Sequence, residues 1–137
     1  MTDNEKKSLC EKAIQAAQNS YSPYSNFKVG AALLCDDGSV VLGCNIENAS
    51  YSATTCAERV AIQTAISNNK KSFKAMAIAG GKDTVGENIC SPCGVCRQVL
   101  AEFCNPETFL ILLAKDGGYE EYTLSQLLPY GFTKDNL

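Results

Sequence analysis

The order of helical and extended segments constrains the fold of this chain more than any other feature of the sequence. Turn-forming residues divide the chain into short segments whose apolar residues recur with helical or alternating spacing. Helices are predicted at 5–20, 56–68, 93–104 and 124–128, and strands at 27–35, 40–46, 74–80, 108–114 and 119–123. This α-β-β-α-β-α-β-β-α order indicates a mixed sheet covered by helices, and a length of 137 residues suits one domain spanning 1–137.

The charge and hydropathy of the chain exclude two broad classes of partner. Lys and Arg number 12, Asp and Glu number 15, and no basic stripe stands out, so binding to nucleic acid is not expected. No run of about 18 apolar residues occurs, so no segment is expected to span a membrane. The polar N-terminal segment does not resemble a secretory signal, which favours a cytoplasmic location.

Eight cysteines and the absence of histidine restrict the chemistry that the chain can perform. In the cytoplasm thiols stay reduced or bind metal, so we expect metal binding or catalysis rather than a disulfide framework. Without histidine, the chain has no Ser-His-Asp triad, no His-Glu-x-x-His zinc motif and no zinc finger with paired Cys and His ligands. A metal site must use sulfur or oxygen ligands, and a general base must be Glu, Asp, Lys, Tyr or Cys. We expect four of the cysteines to act as small apolar residues of the core: Cys10, Cys35, Cys44 and Cys104.

Two short motifs, Cys-Ala-Glu-Arg and Pro-Cys-Gly-Val-Cys, each coincide with the start of a predicted helix. Cys93 and Cys96 are three residues apart and share one helix face, and Cys56 can supply a third thiolate from the other helix start. Three protein ligands leave a fourth position for water, as in catalytic zinc sites, and the nearby Glu58 could move the proton of that water. Arg59 shares a helix face with Cys56, so we expect it to offset the negative charge of the thiolates.

Five sequence blocks resemble, in the same order, the small homotetrameric cytidine deaminases of the zinc-dependent deaminase superfamily. They occupy residues 21–32, 43–49, 56–59, 91–98 and 127–129, and the resemblance covers the chain from about residue 21 to its end. It implies an α/β fold, a three-layer α-β-α sandwich around a five-stranded mixed sheet. It also implies hydrolysis of the nucleosides cytidine and 2′-deoxycytidine to uridine and 2′-deoxyuridine, with release of ammonia, in pyrimidine salvage.

The same resemblance implies how zinc and one carboxylate perform the reaction. The implied zinc ligands are Cys56, Cys93 and Cys96, with one zinc ion per chain. Zinc activates the water molecule that attacks C4 of the cytosine ring, and Glu58 acts as the proton shuttle without binding the metal.

The resemblance also implies which residues bind the nucleoside. Asn45 and Glu47 contact the ribose, and the i, i+2 spacing fits because such a pair shares one face of an extended strand. The implied contacts with the base are the Phe27 ring, the Ala57 N–H together with the Glu58 carboxylate, and the Ser91 carbonyl. In the homotetramer, active sites are completed across subunit boundaries by residues matching Ala49, Tyr51 and Phe132.

Three other interpretations of the cysteines stay open but explain less of the sequence. A closed structural zinc site would add Cys90, although Pro92 directs that residue away from the helix start and the carboxylate of the first motif is then left without a role. An iron–sulfur protein lacks the fourth Cys that its motif requires. A redox pair of Cys93 and Cys96 leaves Cys56 unexplained.

Other deaminases are the alternatives within the superfamily. Nucleotide, tRNA and DNA deaminases need cationic groups or a basic surface, which this acidic chain does not clearly offer. Blasticidin-type deaminases share the length and the three-cysteine site. The pair of Asn45 and Glu47, together with Arg59 directly after the carboxylate, favours cytidine as the substrate.

Overall fold

All 137 residues, Met1–Leu137, are described by the computed structural model of the protein. The helices are α1 (Asp3–Ala16), α2 (Ala57–Ser67), α3 (Gly94–Phe103) and α4 (Leu124–Leu127). The strands are β1 (Lys28–Cys35), β2 (Val40–Cys44), β3 (Phe73–Gly81), β4 (Leu110–Lys115) and β5 (Gly118–Thr123). Short 3₁₀ turns occur at Ala17–Asn19, Tyr51–Ala53 and Lys134–Asn136. The predicted order of helices and strands is confirmed.

The five strands form one mixed sheet in the order β2-β1-β3-β4-β5. Neighbouring strands are antiparallel except β3 and β4, which run parallel and are connected by a crossover that contains α3. Gly30 in β1 lies opposite both Cys44 at the end of β2 and Ala79 near the end of β3. The carboxyl ends of β2 and β3 therefore lie at the same edge of the sheet as the start of β1. The segments that leave this edge lead into α2 and α3.

Helices cover both faces of the sheet, which confirms the predicted three-layer α-β-α arrangement. On one face α1 packs over small side chains that include Ala32 and Ala77. On the other face α2 and α3 pack over larger side chains that include Leu33, Met76 and Ile78. Successive residues of the central strands thus contribute to opposite layers, as the two-residue period of a strand requires.

Two glycines let helix backbones lie close to the sheet. A methyl group at Gly30 would lie 2.5 Å from the nitrogen of Ala17, just after α1. A methyl group at Gly43 in β2 would lie 2.6 Å from the nitrogen of Ala61 in α2. Both positions therefore exclude a Cβ atom because helix backbone occupies the space. The close approach at Gly43 fixes the position of α2, which begins at the candidate site described below.

The boundaries of α1 differ from the prediction of residues 5–20. The helix begins at Asp3, because the Thr2 side chain and the Glu5 side chain form a reciprocal capping box. It ends at Ala16 and continues only as a 3₁₀ turn. None of the helices is both long and apolar enough to cross a membrane.

The predicted strand at 40–46 is two residues shorter than expected. Beyond its end, Ile46 forms isolated bridges with Tyr21 and Thr55 instead of continuing the ladder with β1. The residues predicted to contact ribose, Asn45 and Glu47, therefore lie in an extended segment just outside the sheet. They still share one side of the chain, since Asn45 is buried and Glu47 half-buried while Ile46 between them is exposed.

All eight cysteines are free thiols. The prediction of core positions is confirmed for Cys10, Cys35 and Cys104, which are buried. It is wrong for Cys44, which is only half-buried because β2 is an edge strand. None of these four belongs to a metal-binding cluster.

Candidate active site

Three cysteine sulfurs come together where α2 and α3 begin. The Sγ atom of Cys93 lies 3.9 Å from that of Cys56 and 3.5 Å from that of Cys96, and all three lie within 4.8 Å of one another. Ligands arranged tetrahedrally around zinc at a Zn–S distance of about 2.3 Å are about 3.8 Å apart. The spacing of the three sulfurs therefore suits a zinc ion.

The starts of the two helices explain why the sulfurs converge. Cys56 is the N-cap residue of α2 and Cys93 is the N-cap residue of α3, and both have extended backbone conformations. Neither side chain accepts a capping hydrogen bond from a backbone N–H of its own helix, so both sulfurs are free to face the cluster. The first N–H groups of a helix have no partner within it, and two helix dipoles thus present their positive ends to the sulfurs. This arrangement stabilises thiolates.

The thiols of the cluster differ in pKa. A hydrogen bond from Cys96, followed by the guanidinium of Arg59, lowers the pKa of Cys56 to about 5. The hydrogen bond with Cys56 correspondingly raises the pKa of the Cys96 thiol. Cys56 is therefore the sulfur at which negative charge is most favoured, and a metal cation would replace the protons that the other thiols share with it.

Glu58 is the only buried carboxylate of the chain and lies in the first turn of α2. Its exposed fraction is 4%, and it is not part of the three-sulfur cluster. Burial raises its pKa to about 7, against the opposing effect of its own backbone N–H. A carboxyl group in these surroundings can both accept and release a proton near neutral pH.

Arg59 contacts the sulfur cluster from the same helix. Its Nη2 atom donates to the Cys56 sulfur at 3.3 Å, the contact expected from their i, i+3 spacing. The Nε atom of Arg59 is buried without a hydrogen-bond partner in the chain. The guanidinium is therefore held beside the sulfurs by its contact with Cys56, and it forms no ion pair with a carboxylate.

Cys90 lies close to the cluster but does not belong to it. A methyl group at Gly80 would lie 2.7 Å from the Cys90 sulfur and 3.0 Å from Cε1 of Phe27, so these three residues pack together at the end of β3. Burial raises the pKa of the Cys90 thiol to about 11. Cys90 is therefore a neutral thiol packed around Gly80, and the metal cluster keeps three sulfurs.

The Asn45 side chain is buried and joins the start of β1 to the end of β2. Its Oδ1 atom accepts the N–H of Val29 at 2.9 Å and the hydroxyl of Ser20, and its Nδ2 atom donates to the carbonyl of Phe27 at 2.8 Å. Both lone pairs of the amide oxygen are thus used, and one N–H of the amide nitrogen is left.

The Glu47 carboxylate is held by the turn that precedes β1. Its Oε1 atom accepts the N–H groups of Tyr24 at 3.0 Å and Ser25 at 3.1 Å, and its Oε2 atom accepts the Ser25 hydroxyl at 2.5 Å. The Ser25 hydroxyl is the main reason that the pKa of Glu47 is lowered. Three of about four acceptor positions are filled, which leaves one.

The remaining predicted contacts fall into two groups. Ala57 is buried at the first position of α2, where its N–H has no partner within the helix, and Ser91 is exposed next to Pro92 just before α3. The other group lies on the surface and consists of Ala49, Tyr51 and Phe132. Tyr51 packs edge-on against Tyr24 with ring centroids 6.0 Å apart, and the Phe132 carbonyl accepts a hydrogen bond from Gln98.

Sequence reasoning did not identify Ser20 and Ser25, which hold Asn45 and Glu47 in place. Ser25 lies in the turn-forming segment before β1, Ser20 lies at the end of the first predicted helix, and each is more than 20 residues from its partner along the chain. The polar composition of that segment signals only a turn. Which carboxylate or amide a turn serine contacts depends on how the strands pair.

Comparison with protein families gives one match that covers most of the chain. Residues 3–112 match the family model described as "Cytidine and deoxycytidylate deaminase zinc-binding region". The matched range contains all three sulfurs of the cluster and the buried carboxylate.

Individual relatives are similar along nearly their whole length. The cytidine deaminase of Sporosarcina psychrophila is 49% identical over 94% of this chain and 92% of the relative. That of Halalkalibacterium halodurans is 46% identical over 97% of this chain and 98% of the relative. The crystal structure of cytidine deaminase from Burkholderia pseudomallei superposes with a TM-score of 0.84 at 41% identity, covering 96% of this chain and all of that one.

Proposed function

The chain belongs to the cytidine deaminase family of zinc-dependent hydrolases, and we propose that it hydrolyses both cytidine and 2′-deoxycytidine in pyrimidine salvage. The products are uridine or 2′-deoxyuridine and ammonia. The observation that carries the proposal is a cluster of three sulfurs beside one buried carboxylate, at the starts of two helices. Three ligands and a separate proton carrier are the requirements of a hydrolytic zinc site rather than of a structural one.

The proposed zinc ligands are Cys56, Cys93 and Cys96, one zinc ion per chain. Their sulfur separations suit tetrahedral zinc, and the two helix starts favour their thiolate forms. When bound, zinc supplies the Lewis acidity that makes a water molecule nucleophilic near neutral pH. The thiolates themselves take no part in proton transfer.

Glu58 is the proposed proton shuttle. Its carboxyl group takes up a proton from the attacking water and delivers it to N3 of the base, and a further transfer protonates the amino nitrogen that leaves as ammonia. Two features support this role: the carboxylate is buried beside the sulfurs, and it is not one of the ligands. Burial also excludes bulk water that would compete for the protons.

The base is proposed to bind between the start of α2 and the segment before α3. The unpaired N–H of Ala57 can donate to O2 of the pyrimidine, and the Ser91 carbonyl can accept from the amino group at C4. Phe27 supplies an aromatic surface for the ring, with its backbone fixed by Asn45. These three groups come from α2, the crossover and the residue directly before β1, which meet at one edge of the sheet.

The ribose is proposed to bind Asn45 and Glu47 through one hydroxyl group. Asn45 has one N–H left to donate, and Glu47 has about one acceptor position left. A hydroxyl group that accepts from the amide and donates to the carboxylate satisfies both. Because the pair can bind a single hydroxyl group, a nucleoside that lacks another hydroxyl can still bind. This supports activity on both cytidine and 2′-deoxycytidine, which differ only in the 2′-hydroxyl.

Arg59 is proposed to offset the charge of the metal site. Three thiolates and one Zn²⁺ carry a formal charge of 2 − 3 = −1, and the chain has no histidine to replace a thiolate. The guanidinium contacts the Cys56 sulfur and cannot lose its proton near neutral pH. It therefore lowers the cost of forming further negative charge at the site.

We also propose that the domain spans 1–137 and assembles as a homotetramer in the cytoplasm. Free thiols at all eight cysteines suit a reducing compartment. Tyr51 and Phe132 have exposed fractions of 75% and 62%, which is unusual for large apolar side chains that have no partner surface. Together with Ala49, they are proposed to complete the active sites of neighbouring subunits.

The deciding experiment is incubation of the purified, zinc-loaded protein with cytidine, 2′-deoxycytidine and blasticidin S in parallel. Release of ammonia and a shift of the absorbance spectrum to that of the uracil nucleoside are expected for the first two. The Glu58→Gln variant is the matched control, because it should retain zinc without turnover. Turnover of blasticidin S alone, or no turnover by protein that contains one zinc per chain, would overturn the proposed substrate.

A further inference from the structure

A single serine hydroxyl links two residues that contact the substrate in the proposed function. The Ser25 hydroxyl donates to Oε2 of Glu47 at 2.5 Å, and the same oxygen accepts the N–H of Phe27 at 3.0 Å. Ser25 and Glu47 are 22 residues apart in sequence, so their bond joins separate segments of the fold. One oxygen atom thus holds both the carboxylate assigned to the sugar and the backbone of the residue assigned to the base.

The turn before β1 places the Ser25 hydroxyl between these two partners. Asn26 has a left-handed φ of 57°, and its N–H donates to the Ser22 carbonyl at 3.0 Å. Asparagine tolerates this conformation better than most residues. The resulting turn brings the Ser25 oxygen back onto the N–H of Phe27, and it directs the backbone N–H of Ser25 to the Glu47 carboxylate.

Phe27 is also held from its carbonyl side. The Asn45 amide donates to that carbonyl at 2.8 Å, so both peptide groups that flank the aromatic ring have side-chain partners. The Glu47 carboxylate accepts three hydrogen bonds, two of which come from Ser25. Of these contacts, only the Ser25 hydroxyl connects the carboxylate directly to the ring residue.

We propose that Ser25 is a positioning residue that fixes the Glu47 carboxylate relative to the Phe27 ring, and thereby sets the spacing at which the sugar and the base of one nucleoside are bound. This inference rests on the roles given to Glu47 and Phe27 in the proposed function. Hydrogen bonds to a charged group are stronger and more directional than neutral ones. Loss of the hydroxyl leaves the carboxylate held only through Oε1, by two backbone N–H groups, and frees Oε2 from its link to Phe27.

The test compares cytidine with 2′,3′-dideoxycytidine, which lacks the hydroxyls that Glu47 could bind. The ratio measured is kcat/KM for cytidine divided by kcat/KM for 2′,3′-dideoxycytidine. Ser25→Ala should lower this ratio about tenfold, the size of effect that one hydrogen bond to a charged group supports. Ser25→Thr keeps the hydroxyl at an exposed position and should restore most of the ratio. Partial unfolding would lower both kcat/KM values equally and leave the ratio unchanged.

Ser39→Ala is the matched control, because the Ser39 hydroxyl donates to Asp37 at 2.5 Å in the turn between β1 and β2, outside the candidate site. It should leave the ratio unchanged. In a Glu47→Gln background, Ser25→Ala should have no further effect on the ratio.

The outcomes separate this inference from the proposed function. If Glu47→Gln lowers the ratio but Ser25→Ala does not, or if Ser25→Ala lowers it equally in both backgrounds, Ser25 does not act through Glu47. If Glu47→Gln itself leaves the ratio unchanged, the proposed sugar contact is wrong and the inference about Ser25 falls with it.

Discussion

Cys56 and Cys90 lie close to the same site, yet their thiols have opposite surroundings. Cys56 caps a helix start and contacts two thiols and a guanidinium, which together lower its pKa. Cys90 packs against Gly80, where the ring of Phe27 also approaches, and burial raises its pKa. Residue type alone does not decide which cysteine binds a metal, because a ligand needs surroundings that stabilise its thiolate.

We therefore predict that the cysteines differ sharply in their effect on metal content. Cys56→Ser, Cys93→Ser and Cys96→Ser should each lose most of the zinc after dialysis, because two sulfurs and a hydroxyl make a much weaker site. Cys90→Ser should retain about one zinc per chain. Elemental analysis of the purified variants measures this directly. Retention by Cys93→Ser, or loss by Cys90→Ser, would contradict the three-sulfur site.

The second prediction at this scale concerns the buried carboxylate. Glu58→Gln preserves the shape of the side chain but cannot carry a proton, so kcat should fall by about 10²–10⁴-fold. Zinc content and the unfolding temperature should stay close to those of the unmodified protein, because Glu58 is not in the sulfur cluster. A kcat within about threefold of the unmodified value would remove Glu58 from the mechanism.

Arg59→Gln should change the pH dependence of activity. The variant lacks the positive charge beside a site of formal charge −1, so any ionisation that adds negative charge there becomes less favourable and its pKa rises. The acidic limb of kcat/KM should thus move to higher pH by about one unit, after allowance for solvent screening. The profile is measured on protein with verified zinc content. An acidic limb that does not move, or moves to lower pH, would show that Arg59 is not the charge compensator.

At the scale of helices and strands, sequence patterns predicted which elements form better than where they end. The periods of apolar residues identified β1, β3 and β4, because their side chains are buried against helices. The end of β2 was wrong by two residues, since Ile46 takes partners from the segments around Tyr21 and Thr55. Bridges between distant segments leave no local pattern in the sequence.

In the candidate site too, features set by local sequence were predicted and features set by tertiary structure were not. Helix-face spacing correctly predicted that Cys93 and Cys96 lie together, because that spacing is a property of a single helix. Cys56 was predicted to join them because the two motifs mark the starts of two helices. The roles of the Ser20 and Ser25 hydroxyls were not predicted, because their hydrogen bonds to Asn45 and Glu47 form only when β1 and β2 are paired. Local patterns were thus enough to predict the metal cluster. Tertiary structure was needed to identify the groups that hold Asn45 and Glu47, the pair proposed to bind the sugar.

Gly43 is where packing of an element should influence the site. A methyl group there would meet the backbone of α2, which can relieve the clash only by moving away from β2. Overpacking of this kind costs about 1–3 kcal/mol. Because α2 begins with Cys56 and carries Glu58, we predict that Gly43→Ala lowers the unfolding temperature, kcat and the resistance of the zinc to a chelator together.

Gly118→Ala is the matched control for Gly43→Ala. The nearest atom to a methyl group at Gly118 is the Lys115 carbonyl oxygen at 3.6 Å, an ordinary contact far from α2 in the sheet order. Chelator competition and thermal unfolding of the two variants are compared. If Gly43→Ala lost stability while its zinc retention and kcat matched those of Gly118→Ala, the position of α2 would not control the site.

At the scale of the whole molecule, the proposed tetramer explains why aromatic residues assigned to the active site lie on the surface of one chain. Tyr51 and Phe132 are exposed by 75% and 62%, whereas Glu58 and the sulfurs lie together at the helix starts. If subunits share residues, each site combines its own carboxylate with an aromatic side chain from a neighbour. Closed symmetric assemblies repeat such a contact at every equivalent interface.

Sharing of this kind predicts recovery of activity from two inactive variants. Glu58→Gln subunits lack the proposed proton shuttle, and Phe132→Ala subunits lack the aromatic contact that we propose they give to a neighbour. In mixed tetramers from co-expression, a site in a Phe132→Ala subunit keeps Glu58 and receives Phe132 from a Glu58→Gln neighbour. With random mixing, the chain that holds a site is the Phe132→Ala variant in about half of the cases, and its neighbour is the Glu58→Gln variant in about half. About one quarter of the sites therefore contain both Glu58 and Phe132. The co-expressed protein should therefore show about a quarter of the unmodified kcat per chain, and each variant alone should show almost none. A tetramer by light scattering that recovers no activity would mean that each chain builds its active site alone.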